Sequence, residues 1–258
     1  MIVEFLGAGS CLPDYEATDT ASLLIDKHIL VDTGWNPVRN LLRAGVEPGQ
    51  VTHLFFTHMH QDHYLGLAQF LFYRITKYER LNDLTICGPE GLKEIVDRAL
   101  LYTGFDEIVV GGERRSVADE RPCVTELSNE GELHIDKMCI RFMKSHHTVP
   151  SRCYRFTDEN GRSVVFTGDT APLEHLPAFA AGCDVLIHES AFAERSSKEW
   201  NLYCHSSAMD AAEAANKSKA RALYLVHMSA VDRQSAKQAA QSLFANVHCP
   251  KECDQILL

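Results

Sequence analysis

The sequence predicts an α/β (α+β) chain in which two sheets face each other with helices outside. Three observations carry that expectation. Strand-forming runs occur in both halves of the chain, each followed by helical stretches, and facing sheets with outer helices satisfy that order. Hydrophobic residues make up 45% and charged residues 23% of the 258 positions, enough apolar material for a sizeable core. Polar residues able to bind metals also recur where apolar strands end, as they would along one rim of a layered fold. No linker, repeat or low-complexity tract divides the chain, so a single domain over residues 1–258 is expected.

The elements follow in order. Residues 1–6 and 22–31 read as strands, with Asp26-Lys27 turning the second stretch into a hairpin. Asn36 is placed to cap a helix with Pro37 at its first position, and Gly45 ends it. A strand over 51–57 leads into a histidine cluster, after which "LAQFLFYRITKYER" carries about four helical turns. "LHIDKMCIRFM", "CYRF" and "SVVFTGD" form a second run of strands, the last two joined through Asn160-Gly161, a strong hairpin signal. Helices and strands then alternate through "PLEHLPAFAA", "CDVLIHE", "SAMDAAEAANKS", "ALYLVH" and "RQSAKQAAQSLFA".

Composition excludes several roles. No stretch approaches the roughly 20 apolar residues of a membrane span. The start "MIVEFLGAGS" has neither the basic nor the long apolar region of a signal peptide. Nine cysteines, odd in number, dispersed and without a Cys-x-x-Cys pair, favour free thiols in a reducing cytoplasm. Cys249 and Cys253 beside His248 lack a fourth ligand and read as a plain tail. The net charge of −10 argues against a broad nucleic-acid-binding face, and "GGERRS" at 111–116 is the one short basic cluster.

The chemistry concentrates in "FFTHMHQDHYLGL", where His58, His60, Asp62 and His63 crowd six positions directly after an apolar strand. Scattered loop histidines do not normally pack so densely, and the donors are those of a metal site. Other candidates stand at strand ends: Asp32 after "HILV", His147 after "CIRFMKSH", Asp169 after "SVVFTG", His188 and Glu189 after "CDVLI", and His227 after "ALYLV".

These residues resemble a known family. Thr57-His58-Met59-His60-Gln61-Asp62-His63 is similar to the signature loop of the metallo-β-lactamase superfamily, and "DTG" at 32–34, His147, Asp169 and His227 match its other motifs in order. Within it, "FLGAGSCLP", "HTVPSRCY", "FTGDT", "HES" and "CHSSAMDAAEAA" resemble ribonuclease Z. The resemblance covers Gly7 to His227. It implies a four-layer αββα sandwich with a dinuclear metal site on the rim. It assigns His58, His60 and His147 to a first ion, and Asp62, His63 and His227 to a second. Asp169 bridges the two, and Asp32 steadies the histidine loop. Only His147, not His146, fits the family register of "HTVPS". Imidazole and carboxylate without thiolate suit two Zn2+, with Mn2+ or Fe2+ compatible. His60 stands where the diiron, oxygen-reducing branch has a carboxylate, which favours hydrolysis.

The implied catalytic residues are Asp62, Glu189 and His205, the last two as the pair that protonates the leaving oxygen. The implied activity is hydrolysis of phosphodiesters, with a small phosphodiester or an RNA 3′-end as substrate. Ribonuclease Z carries a long Gly/Pro-rich arm between its equivalents of His147 and Asp169. Here that gap is 169 − 147 = 22 positions, filled by one hairpin. The family's Cys-Gly-Glu-Gly-Thr is also replaced by "DTGWNP". Small or terminal phosphodiesters are therefore expected ahead of tRNA 3′-ends. Hydrolysis of carboxylic esters, thioesters or lactones stays open, as does a non-catalytic scaffold, although that reading predicts eroded ligands. A homodimer is left open. The long segment 64–146 is expected to supply a substrate wall, with Phe70, Tyr73, Tyr78 and Tyr102 as candidates, although core is the favoured reading for each of them.

Overall fold

The computed structural model describes residues 1–12, 19–197 and 201–258; Pro13 of the "FLGAGSCLP" motif lies outside them. The first half runs β1 (Ile2–Gly7), β2 (Ser22–Ile25), β3 (Ile29–Val31), α1 (Pro37–Arg43), β4 (His53–Phe55), α2 (Gln61–Tyr64), α3 (Leu67–Tyr78), β5 (Thr85–Gly88), α4 (Leu92–Thr103), β6 (Glu107–Val110), β7 (Glu113–Ser116) and β8 (Cys123–Glu126). The second runs β9 (Glu130–Ile135), β10 (Met138–Lys144), β11 (Arg152–Thr157), β12 (Ser163–Phe166), α5 (Leu176–Phe179), β13 (Val185–Glu189), α6 (Ala208–Ser218), β14 (Ala222–Val226), α7 (Arg233–Gln241), β15 (Val247–His248) and β16 (Gln255–Leu257).

Two seven-stranded sheets result, ordered β16-β1-β2-β3-β4-β5-β8 and β15-β14-β13-β12-β11-β10-β9. In each, antiparallel strands give way to parallel ones: β3, β4, β5 and β8 in the first, β12, β13, β14 and β15 in the second. Alternation along the strands sorts side chains into three apolar layers. Phe5, Val31, Phe55, Ile140, Tyr154, Phe156 and Ile187 pack between the sheets. Leu30, Leu54 and Ile86 meet Leu41, Phe70 and Val96 of the first outer helices. Val165, Leu186 and Leu223 meet Ala211, Ala215 and Ala236 of the second. The order is helix, sheet, sheet, helix.

Asp26 and Lys27 turn the β2–β3 hairpin in left-handed backbone, φ of 45° and 65°, and three residues separate the paired Ile25 and Ile29. Other elements depart from expectation for local reasons. The Asn36 side chain does not cap α1. The buried Asp19 carboxylate takes that place, accepting from the backbone N–H groups of Trp35 and Asn36 and from Asn40 Nδ2 at 2.7–2.9 Å. The strand expected over 51–57 pairs only over β4, because Thr57 N–H leaves the ladder and donates to Asp32 Oδ1. The helix expected over "PLEHLPAFAA" shrinks to α5, since Pro177 fits only a helix's first turn. Between α4 and β8 the chain adds an unforeseen two-stranded hairpin, β6–β7, outside both large sheets.

Candidate metal centre

The C-terminal ends of parallel strands from both sheets meet at one rim, the position where such sheets gather their sites. Asp32 follows β3, His58 follows β4, Asp169 follows β12, Glu189 ends β13 and His227 follows β14. Gly168 makes the turn into Asp169 with φ +56°, and a Cβ there would lie 2.6 Å from Thr57 Cβ. Asp32 and His227 also adopt left-handed backbone, φ +56° and +60°, a strain that non-glycine residues carry mostly at functional positions.

A chain of hydrogen bonds sets how each imidazole faces. Asp32 accepts from Thr57 N–H and Thr57 Oγ1 at 2.7 Å and from His63 Nδ1 at 2.8 Å. Thr57 Oγ1, its proton given to Asp32, accepts from His58 Nδ1 at 3.0 Å. His147 Nδ1 donates to the Cys204 carbonyl at 3.1 Å, and His60 Nε2 to Thr148 Oγ1 at 3.2 Å. The opposite nitrogens, His58 Nε2, His60 Nδ1 and His147 Nε2, are then unprotonated. They converge, His60 Nδ1 lying 3.1 Å from His58 Nε2 and 3.0 Å from His147 Nε2. Three lone pairs at that separation repel unless a cation sits among them. This is the observation that a metal ion fits.

Asp169 Oδ2 ties the cluster together. It lies 3.7 Å from His58 Nε2, 3.9 Å from His147 Nε2, 3.5 Å from His63 Nε2 and 3.2 Å from His227 Nε2. Asp62 Oδ2 stands 3.2 Å from His63 Nε2 and 3.4 Å from His227 Nε2. His63 Nε2 is buried without a hydrogen-bond partner. Donor atoms of His58, His60, His147 and Asp169 lie within 4.8 Å of one another, and so do those of Asp62, His63 and His227. His146 is exposed and stays outside both groups.

The electrostatics match. Burial lowers the pKa of His58, His60 and His147, keeping them neutral as ligands must be. Burial opposes ionisation of Asp62 and Asp169, yet His227 and His63 beside them hold both carboxyls below the usual range. Burial likewise opposes a proton on His63, but Asp169 and Asp32 together push its pKa well above the ordinary value. The centre demands positive charge.

Residues 27–228 match the sequence model of the beta-lactamase superfamily domain. The chain belongs to that superfamily. It is 27% identical over 306 aligned positions to the Ribonuclease Z of Lactiplantibacillus plantarum, covering 99% of this chain and 97% of the relative. Among solved structures it resembles the metallo-beta-lactamase fold protein YhfI from Bacillus subtilis, with TM-score 0.80 and 19% identity over 99% of this chain and 98% of the other. Human tRNase Z, short form, follows with TM-score 0.78 and 22% identity over 100% and 99%. The fold expected from the motifs is therefore the fold observed, and the chain is a ribonuclease Z-like, metal-dependent hydrolase of this superfamily.

Beside these candidate ligand groups sits a second constellation. Glu189 Oε1 lies 2.9 Å from His205 Nδ1 and accepts from Thr170 N–H and Ser206 N–H. Burial opposes a proton on His205, but the bond to Glu189 and its charge raise the pKa to about 9. His205 Nδ1 is also 4.0 Å from Asp169 Oδ2, close enough to make His205 with Asp169 and His227 a third candidate ligand group. The shorter bond to Glu189 already occupies that nitrogen.

Some expectations are corrected. His188, read as one of the strand-end candidates, turns away: its neighbours Ile187 and Glu189 face between the sheets, whereas His188 lies toward α5 and α6 and bonds its Nδ1 to the Glu189 carbonyl. Of the wall candidates, Phe70 is buried in the outer helical core, Tyr73 and Tyr78 bond Glu47, and Tyr102 is 79% exposed on α4. The Arg114 and Arg115 cluster faces Glu107, Glu113 and Glu120. A further residue carried no sequence signal. Phe192 packs edge-on against His205.

Proposed function

We propose that the chain is a dinuclear metal-dependent phosphodiesterase acting on small or terminal phosphodiesters. His58, His60 and His147 would hold one ion and Asp62, His63 and His227 the other, with Asp169 between the two groups available to both. Two Zn2+ suit this donor set, in which thiolate is absent. When bound, such a pair activates water at neutral pH and neutralises charge on the phosphoryl oxygens. The convergence of His58 Nε2, His60 Nδ1 and His147 Nε2 on one point, with Asp169 Oδ2 between both ligand groups, carries the reading.

The chain's own residues supply the rest. Asp32 orients His63 directly and His58 through Thr57. Water adds its oxygen to phosphorus and releases one proton to solvent, the bond to the leaving oxygen breaks, the proton held on His205 moves to that oxygen, and His205 regains a proton from solvent. The products are a phosphomonoester and an alcohol. Glu189, fixed by Thr170 and Ser206, keeps His205 charged and aimed.

Small or terminal substrates are favoured by what fills the gap between His147 and Asp169. It holds one antiparallel hairpin, β11–β12, whose strands belong to the main sheet. Alignment with the L. plantarum relative takes 306 positions against 258 residues here, leaving at least 306 − 258 = 48 without a counterpart in this chain. The basic cluster at 113–116 is matched by carboxylates and offers no electropositive grip. The second reading, tRNA 3′-end processing, is favoured by the similarity to Ribonuclease Z. An assay of bis-p-nitrophenyl phosphate, cyclic nucleotides, a lactone and precursor tRNA at equal enzyme separates them. Small diesters should turn over far faster than precursor tRNA. Efficient cleavage after the discriminator base would promote the second reading, and a dominant lactonase rate would replace both.

A further inference from the structure

His60 is held differently from the other two histidines of its group. Asp32, through Thr57, fixes His58 in the interior, and the Cys204 carbonyl fixes His147. His60 is half-buried at the start of α2. Its outer nitrogen, Nε2, has one partner among the described residues, the hydroxyl of the exposed Thr148 at 3.2 Å. That bond crosses between the sheets, since His60 follows β4 of the first and Thr148 follows β10 of the second, beside His147. The loop that carries Thr148 is closed at its base. Ser145 N–H donates to the Ser151 carbonyl at 3.2 Å, and Ser145 Oγ to Ser151 Oγ at 2.6 Å. His146 N–H donates to Thr170 Oγ1 at 3.1 Å and its carbonyl accepts from Ala171 N–H at 2.8 Å. The hydroxyl is therefore presented to His60 from a fixed support.

The bond matters because a half-turn of the ring would undo the ligand. The ring torsion of histidine is broad and roughly two-fold, so the side chain itself does not choose between the two orientations. His58 and His147 meet the ring edge-on, both at 4.7 Å between centroids and at 84° and 76° between planes. A half-turn preserves both contacts, so they do not choose either. It would put Cδ2 where Nδ1 now stands, and a carbon cannot bind an ion. Before an ion is bound, the half-turn is also the easier arrangement. It withdraws Nδ1 from the unprotonated His58 Nε2 and His147 Nε2, which lie 3.1 and 3.0 Å away. The hydrogen bond from Nε2 to Thr148 opposes that turn.

We propose that Thr148 is a positioning residue whose hydroxyl, by accepting from Nε2, keeps His60 with Nδ1 turned into the centre and so completes the ligand set of His58, His60 and His147. The inference rests on the metal-binding reading of that group. It gives one loop two tasks: His147 supplies a ligand from the second sheet, and its neighbour Thr148 holds in place the ligand that comes from the first.

Two substitutions separate the hydroxyl from the rest of the side chain. Thr148→Val keeps the shape and removes the acceptor, whereas Thr148→Ser keeps the hydroxyl and loses the methyl group. The position is exposed, so neither change bears on the core. In competition against a chelator of known zinc affinity, Thr148→Val should bind Zn2+ about tenfold more weakly, the low end for removing an outer partner of a ligating histidine. Thr148→Ser should match wild type. Wild-type affinity in Thr148→Val, or equal losses in both variants, would overturn the proposal. Nuclear magnetic resonance of isotope-labelled histidine nitrogens, with His60 assigned by its loss in His60→Asn, reads the ring in metal-free protein. Wild type and Thr148→Ser should carry the His60 proton on Nε2, and Thr148→Val should divide it between the two nitrogens. The same proton position in all three proteins would overturn the proposal. If wild type takes up no Zn2+, the metal-binding reading itself fails, and the nitrogen spectra alone then decide whether Thr148 sets the ring.

Discussion

Asp32→Asn isolates the hydrogen bonds that orient the metal ligands. The carboxylate is fully buried and accepts three bonds of 2.7–2.8 Å, two from Thr57 and one from His63 Nδ1. Asparagine keeps the shape and tolerates the left-handed φ of +56°, so backbone strain does not rise. It keeps only one acceptor oxygen. If that oxygen takes the place of Oδ2, on His63 and Thr57 Oγ1, the amide faces the Thr57 backbone N–H. If it turns to Thr57, His63 loses the acceptor that holds its Nε2 toward Asp62 and Asp169. Either choice forfeits at least one charge-assisted bond, about 1.5–3 kcal/mol. Removing such an outer partner of a ligating histidine typically weakens metal binding by about 10–100-fold, about 1.4–2.7 kcal/mol, so the two magnitudes agree. Competition against a chelator of known zinc affinity reads the loss, and circular dichroism of the metal-free variant checks that it still folds. Wild-type affinity in a folded variant would refute the claim that Asp32 acts through His58 and His63.

His205→Ala should cost little on bis-p-nitrophenyl phosphate, whose phenolate departs unaided. On an alkyl or ribose leaving group it should cost the roughly 10²–10⁴-fold of general acid catalysis, with metal content unchanged. Loss of metal would instead make His205 a ligand with Asp169 and His227. Gly168→Ala forces alanine into left-handed backbone, about 1–2 kcal/mol, and drives its Cβ against Thr57, so both melting temperature and activity should fall; a thermal melt matching wild type would contradict that geometry. In metal-free protein the raised pKa of His205, about 9, contributes stability that is fully present below pH 6.5 and lost as pH rises through 9. His205→Gln should therefore be most destabilised relative to wild type at pH 6, with the gap closing by pH 10; denaturant midpoints showing a constant gap would contradict it.

The sequence made the histidine loop plain because four donors are contiguous there. Apart from their match to the family motifs, Asp169, His147 and His227 were readable as polar residues at strand ends, and that rule misplaced His188. Strand alternation explains the error: on β13, adjacent side chains must face opposite ways, and "LIHE" does not say which of His188 and Glu189 faces the rim. Asp19 escaped notice because its role comes from tertiary proximity. It caps the "DTGWNP" loop from 13 residues before Asp32, in a stretch without periodicity. Phe192 was hidden similarly, an ordinary aromatic until the fold sets it against His205. The helical layers followed apolar periodicity, whereas the β6–β7 hairpin pairs a short apolar Ile108–Val110 run with the exposed, charged Glu113–Arg115 and carries too little of it to register.

The central claim is that two ions occupy one bridged site and that hydrolysis depends on both. Titrating metal-free protein with Zn2+ while following elemental content and diester hydrolysis tests it most directly. The account predicts saturation at about two ions per chain, activity that rises fully only with the second, and loss of metal and activity together in His58→Ala. Saturation at one ion with full activity, or diester hydrolysis that persists in chelated protein, would contradict it.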